Sequence, residues 1–203
     1  AGESFILENG VWKDQYTTSL NNIRIKAFTD NSSASMFSDV SSPSKFYYYP
    51  VYWAKEAGIT TGTSATRFSP DQKCTRAQVI TFLYKKYGNG EIPQSSETSA
   101  ITDVSAGDYY YNAVKWALAH GVTNGTSAST FSPDSPCTRG QIVTFLYKIL
   151  GNTDSALPDE SIFSDVQKGS YYYDAVNWAA AEKVTNGTSP STFSPENTCT
   201  RGQ

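Results

Sequence analysis

Apolar positions recur at helical spacing in five stretches of this chain. Tyr48, Val51, Trp53 and Ala54 share one face. Tyr111, Val114, Trp116, Ala117 and Leu118 repeat it, and Tyr173, Val176, Trp178 and Ala179 repeat it again. A period of three to four residues puts one stripe of a helix against a core. A second stripe, Val79, Phe82, Leu83 and Tyr87, returns as Ile142, Phe145, Leu146 and Ile149. The first kind of helix is predicted to end at Gly58 and Gly121, where glycine takes the left-handed cap. The third copy has Lys183 there, which predicts a different cap geometry. Gly88-Asn89 and Gly151-Asn152 stop the second kind. Ahead of these stretches, Phe5 to Lys13 reads as a β-hairpin turning on Asn9-Gly10. Ile23 to Phe28 alternates as a further strand, and Asn31 to Ser35 reads as a linker.

The polar positions repeat as strictly as the apolar ones. Cys74-Thr75-Arg76-Ala77-Gln78 returns as Cys137-Thr138-Arg139-Gly140-Gln141 after 63 residues. Cys199-Thr200-Arg201-Gly202-Gln203 follows after 62 more. Thr followed three positions later by Gln is a capping box, so the pairs Thr75/Gln78, Thr138/Gln141 and Thr200/Gln203 are structural caps. The Cys before each cap and the Val79 or Ile142 beyond it suit a hydrophobic staple. The Arg stands at the first helical position, where the helix dipole favours an anion. A guanidinium beside free main-chain amides makes a site for a carboxylate or phosphate. The structural alternative is a bond from Arg to a nearby Asp or carbonyl, and both can hold together.

Between the two kinds of helix lies a near-identical loop, Ile59-Thr60-Thr61-Gly62-Thr63-Ser64 in its first copy. Phe68, Phe131 and Phe193 are expected to plug the core beneath it. Each repeat opens on Phe or Ile, a polar residue, Asp and Val. Asp39, Asp103 and Asp165 cap the following turn or pair with an Arg. Each aromatic run (Phe46 to Tyr49, Tyr109 to Tyr111, Tyr171 to Tyr173) is too continuous for every ring to point inward.

Composition narrows the chemistry. Net charge is −3 over 203 residues, which leaves no nucleic-acid footprint. No apolar run approaches 18 residues, so no membrane insertion is expected. Fourteen Tyr, ten Phe and four Trp against one Met suit half-wet surfaces and grooves. Three Cys at equivalent repeat positions read as buried apolar residues rather than disulfides, since such positions are usually far apart. With His120 the sole histidine and no CxxC, no metal site or cofactor is expected. His120 aligns with Ala57 and Glu182, which reads as a solvated last turn. No nucleophile elbow, Cys–His pair or phosphate loop occurs, and Asp71, Asp134 and Glu196 are explained by recurring turns. No catalytic residue is expected, and the chain is not read as an enzyme.

The opening Phe-x-Asp-Val, the Trp-Ala helix, the Gly-Ile/Val-x-x-Gly-Thr loop, Phe-x-Pro-Asp and the Thr-Arg signature resemble the S-layer homology family. The likeness runs over residues 37 to 203, with repeat boundaries at 37–99, 100–161 and an incomplete 162–203. Residues 1–36 are a lead-in or the tail of an upstream domain. The resemblance implies a mainly α fold, three helix–loop–helix lobes about a pseudo-threefold axis. It also implies an extracellular location, in the cell wall or S-layer. The implied function is non-covalent anchoring to secondary cell-wall polysaccharide, often pyruvylated, in grooves between lobes. The family's signature Arg corresponds to Arg76, Arg139 and Arg201. Its Glu is Gln here, its Ala is Gly140 and Gly202 in two copies, and Cys replaces the usual Ile or Val.

The residues agree with an acidic glycan. The three Arg suit a carboxylate. Trp53, Trp116, Trp178, Tyr48, Tyr111 and Tyr173 suit sugar C–H faces, with Asp39, Asp103 and Asp165 beside them. Arg139→Ala is then expected to weaken wall binding and leave the melting temperature nearly unchanged. The competing reading is a self-assembly module of an S-layer, fibre or adhesin that docks other surface-layer chains. The third repeat stops in the first turn of its second helix, so further chain or another segment is expected to complete it.

Overall fold

In a computed structural model, residues 5–8 and 11–14 are described as backbone, and residues 37–92, 100–151, 157–158 and 160–203 in full. Strands β1 (Phe5–Glu8) and β2 (Val11–Asp14) pair antiparallel, with Phe5 opposite Asp14 and Glu8 opposite Val11. The expected turn at Asn9-Gly10, the strand at Ile23 to Phe28 and the linker at Asn31 to Ser35 lie outside the described residues.

The rest is helical: α1 (Tyr48–Glu56), α2 (Arg76–Tyr87), α3 (Tyr111–Ala119), α4 (Arg139–Leu150) and α5 (Tyr173–Ala181). Both capping boxes close at α2 and α4. At the third copy the Gln203 side chain accepts from the Thr200 amide at 2.9 Å, although residues 201–203 form only a turn. Helices α1, α3 and α5 all end in the same six-residue cap. Gly58 and Gly121 have φ of 70° and 64°, and Lys183 takes φ 58° in the same place. The amides of Ile59, Val122 and Val184 reach back to Ala54, Ala117 and Ala179 at 2.8 Å in each case. The expectation of a different third cap is therefore corrected. The closing hydrogen bonds impose the left-handed turn on lysine, at a steric cost glycine avoids.

The repeats are joined at an axis by their cysteines. Cys74 N–H donates to the Cys199 carbonyl, Cys137 N–H to Cys74, and Cys199 N–H to Cys137, at 2.8–3.0 Å. This ring of three bonds ties the segments before each capping box into a triangle. The reading of these positions as far apart is thus overturned: in a closed threefold array, equivalent residues near the axis meet. All three thiols are free and buried. Burial pushes Cys74 up to about 11 and Cys137 to about 12.

Around the axis each helix pair is completed by its neighbour. Helix α3 packs on α2 and α5 on α4, so the first helix of a repeat lies against the second helix of the preceding one. Trp116 meets Tyr84 at 5.8 Å and Trp178 meets Tyr147 at 5.6 Å, ring to ring. Both Trp are buried, but Trp53 is 39 % exposed. Among the described residues, no Tyr ring pairs with Trp53 as Tyr84 and Tyr147 pair with Trp116 and Trp178. Gly140 has a packing reason: a Cβ there would press on the Tyr172 ring and the Pro195 carbonyl of the next repeat.

Candidate functional site

Each repeat sends its signature Arg into the next one. Arg76 Nε donates to the Phe131 carbonyl at 2.9 Å, Arg139 Nε to Phe193 at 2.7 Å, and Arg201 Nε to Phe68 at 2.8 Å. Each guanidinium also lies over the ring of the same Phe, 4.5–4.8 Å from its centroid. The third link closes the circle, from the last repeat to the first. No carboxylate lies within ion-pair distance of these guanidinium groups among the described residues.

Arg76 is 3 % exposed and Arg201 8 %. Their Nη2 atoms are buried and have no hydrogen-bond partner. Burial pulls both guanidinium groups below their ordinary value. A desolvated cation with an unused donor is costly unless an anion completes it.

Each of these two Arg opens on a groove. Groove 1, a cavity of about 570 Å³, is formed by the Ile59–Thr63 loop and by Gln78, Thr81, Phe82 and Lys85 of α2. Arg201 enters it from the third repeat and Tyr109 from the second. Groove 2, about 520 Å³, repeats this with the 121–126 loop, Gln141, Thr144, Phe145 and Lys148, entered by Arg76 and Tyr171. Three repeats thus contribute to each groove. Neither is lined by an Asp or Glu. Gln78 and Gln141 give their oxygens to the Thr75 and Thr138 amides, which leaves each NH₂ as a further donor. Tyr109 and Tyr171 are 68 % and 61 % exposed, each braced edge-on by the following Tyr at 4.9 Å.

The third repeat has the loop and Arg139, with Phe46 in the place of Tyr109 and Tyr171. Phe46 is 70 % exposed. Among the described residues, no counterparts of Thr81, Phe82 and Lys85 accompany this loop.

The other residues proposed for glycan contact sit elsewhere. Asp39 accepts from the Phe68 and Ser69 amides at 2.9 and 2.8 Å, and Asp103 and Asp165 do the same for Phe131/Ser132 and Phe193/Ser194. These bonds hold Ser69, Ser132 and Ser194 at φ near 58°. The carboxylates brace the turn under the Arg-accepting carbonyl and line neither groove. Tyr48, Tyr173, Trp116 and Trp178 are core residues, and Tyr111 is half-buried. Trp116 borders a separate cavity of about 410 Å³ with Tyr87 and His120. Trp53 carries Lys86 over its ring at 5.3 Å.

Tyr109 and Tyr171, which line the grooves, stand two positions before Tyr111 and Tyr173, the members of their runs that the helical face singles out. Lys85 and Lys148 line the grooves as well. Their equal offset from Arg76 and Arg139 was the available signal.

This is a three-repeat helical binding module with grooves at the repeat junctions. The S-layer homology domain matches residues 37–80, 100–143 and 162–203, and the chain belongs to that family. It is similar to an endoglucanase of Bacillus sp. (strain KSM-635), 29 % identical over 85 % of this chain and 18 % of that protein. A cell surface protein of Thermoanaerobacter kivui is 31 % identical over 49 % of this chain and 13 % of its own length. A surface-layer 125 kDa protein of Lysinibacillus sphaericus is 26 % identical over 59 % and 10 %. The chain therefore spans less than a fifth of these relatives.

Proposed function

We propose that the protein fastens a surface protein to the bacterial cell wall without a covalent bond. Grooves 1 and 2 take an acidic wall polysaccharide, and a pyruvyl ketal carboxylate completes the buried guanidinium. One observation carries this reading: Arg76 and Arg201 each present an unpartnered, desolvated Nη2 to a groove that contains no acid of its own. Lys85 and Lys148 add a second positive charge at each rim. Tyr109 and Tyr171 offer flat faces to sugar C–H bonds. The loop hydroxyls and Gln side chains suit sugar hydroxyls. Two moderate sites on one polymer raise retention through effective concentration. The presence of this module in an endoglucanase and in surface-layer proteins fits a module that carries varied cargo to an extracellular location. The residues described here then bind and do not catalyse.

The test is co-sedimentation with purified walls before and after removal of the secondary polymer. Binding to intact walls alone supports the proposal, and equal binding to stripped walls overturns it.

The exposed rings of Phe46, Tyr109 and Tyr171 favour a second reading, docking of other surface-layer protein chains. Light scattering in the absence of wall material decides it. A monodisperse monomer counts against that reading.

Among the described residues, no helix is long and apolar enough to cross a membrane, and no cluster of His, Cys, Asp or Glu is arranged to hold a metal.

A further inference from the structure

The two grooves differ at two loop positions: groove 1 has Ile59 and Thr61 where groove 2 has Val122 and Asn124, and only the second pair changes the chemistry. Asn124 is exposed and is followed by Gly125, which lies at φ 88°. We propose that Asn124-Gly125 is a self-modification site that converts groove 2 from an acid-free groove to one with its own carboxylate. The inference rests on reading that groove as an anion site.

The chemistry needs only water. The Gly125 main-chain nitrogen loses its proton and bonds to Cγ of Asn124. The bond from Cγ to the side-chain nitrogen breaks, and ammonia leaves. The resulting succinimide takes up water and opens to aspartate or isoaspartate. Glycine favours the attack because no Cβ crowds its nitrogen. The Gly125 N–H donates to Thr123 Oγ1 at 3.1 Å, so this bond must open first and sets a slow pace. Asn186-Gly187 has the same arrangement, with Gly187 N–H on Thr185 Oγ1 at 3.1 Å. Thr61 has no side-chain amide and cannot react.

The new charge shares the cavity with the unpartnered Nη2 of Arg76 and with Lys148. It competes with a bound anion for both cations. The protein thus ages unevenly: groove 1 keeps its character and groove 2 loses it.

The experiment holds the protein at high pH and 37 °C and maps every Asn by mass spectrometry. Asn124 and Asn186 should convert well before the helical Asn112 and Asn177, neither of which precedes glycine. Titration with a synthetic monosaccharide carrying a pyruvyl ketal, in a Tyr109→Ala background that leaves groove 2 reporting, should show about tenfold weaker binding after conversion. Asn124→Thr protein should bind equally before and after the incubation. Retention of the Asn124 amide for as long as Asn112 overturns the proposal, as does unchanged binding once Asn124 has converted. If fresh protein fails to bind the probe, the anion reading of the groove falls. The mass map then still decides the modification, and the Arg76 side-chain nitrogen resonances, which should move on conversion without any probe, decide the charge contact.

Discussion

Arg76 and Phe131 lie 55 residues apart and meet twice: Nε donates to the Phe131 carbonyl at 2.9 Å, and the guanidinium covers the Phe131 ring at 4.8 Å. One side chain therefore fastens two repeats and also presents an open donor to the groove between them. Arg76→Ala should destabilise the protein by about 2 kcal/mol, from the lost charged hydrogen bond and ring contact. The expectation that an Arg signature residue can be removed with little change in melting temperature is revised accordingly, for Arg139 as well, since it makes the same two contacts with Phe193. Arg76→Lys keeps the charge but loses the planar fork, and wall binding should fall. Denaturant titration and wall co-sedimentation on both variants check this.

Tyr109 and Tyr171 are more than half exposed, so truncating them leaves the core intact. Each Ala variant should weaken wall binding several-fold with little change in stability. The double variant should lose more than the product of the two, because the linkage between sites is lost as well. Co-sedimentation at varied wall concentration gives all three values.

Burial acts to raise the Asp39 carboxyl, and the Phe68 and Ser69 amides outweigh it, so the group lies below its ordinary value. A lowered carboxyl value means that the unfolded chain binds a proton at higher pH than the folded one. The stability from Asp39 is thus fully present above the ordinary carboxylate value of about 3.9 and is lost as pH falls through the lowered folded value. Between pH 5 and pH 2, the wild type should lose more stability than Asp39→Asn. Thermal melts across that range test the difference.

The thiols at the axis give the opposite dependence. Cys74 and Cys137 are raised by burial to about 11 and about 12. Their protonated form is favoured in the fold, so their contribution is full below the unfolded value of about 8.5 and declines as pH rises towards 11 and beyond. In native conditions all three thiols should resist an aromatic disulfide reagent, and unfolding in guanidinium should release three equivalents. Rapid reaction of any thiol in the folded protein would contradict the buried triangle.

Lys183 holds φ 58° in a cap where Gly58 and Gly121 stand in the other repeats. Lys183→Gly should raise stability by about 1 kcal/mol by removing the left-handed penalty. Gly121→Lys should lower it by a similar amount, since a Cβ at Gly121 meets nothing within 4 Å and only the backbone term changes. Paired melts of the two variants measure the same quantity with opposite sign.

The sequence by itself determined the helices, the capping boxes, the number of repeats and the Arg that marks each one. These rest on interactions a few residues long, and three copies of each pattern made them legible. Only the tertiary structure decided where the repeats meet. The cysteine triangle, the hand-over of each Arg to the next repeat's Phe, and the choice of Tyr109 over Tyr111 all join residues from different repeats. Spacing along one helix cannot encode a partner that closure about an axis brings in. For the same reason Trp53 shares the pattern of Trp116 and Trp178 but not their burial: its ring is alike, and among the described residues no Tyr of another helix stacks on it as Tyr84 and Tyr147 do on theirs.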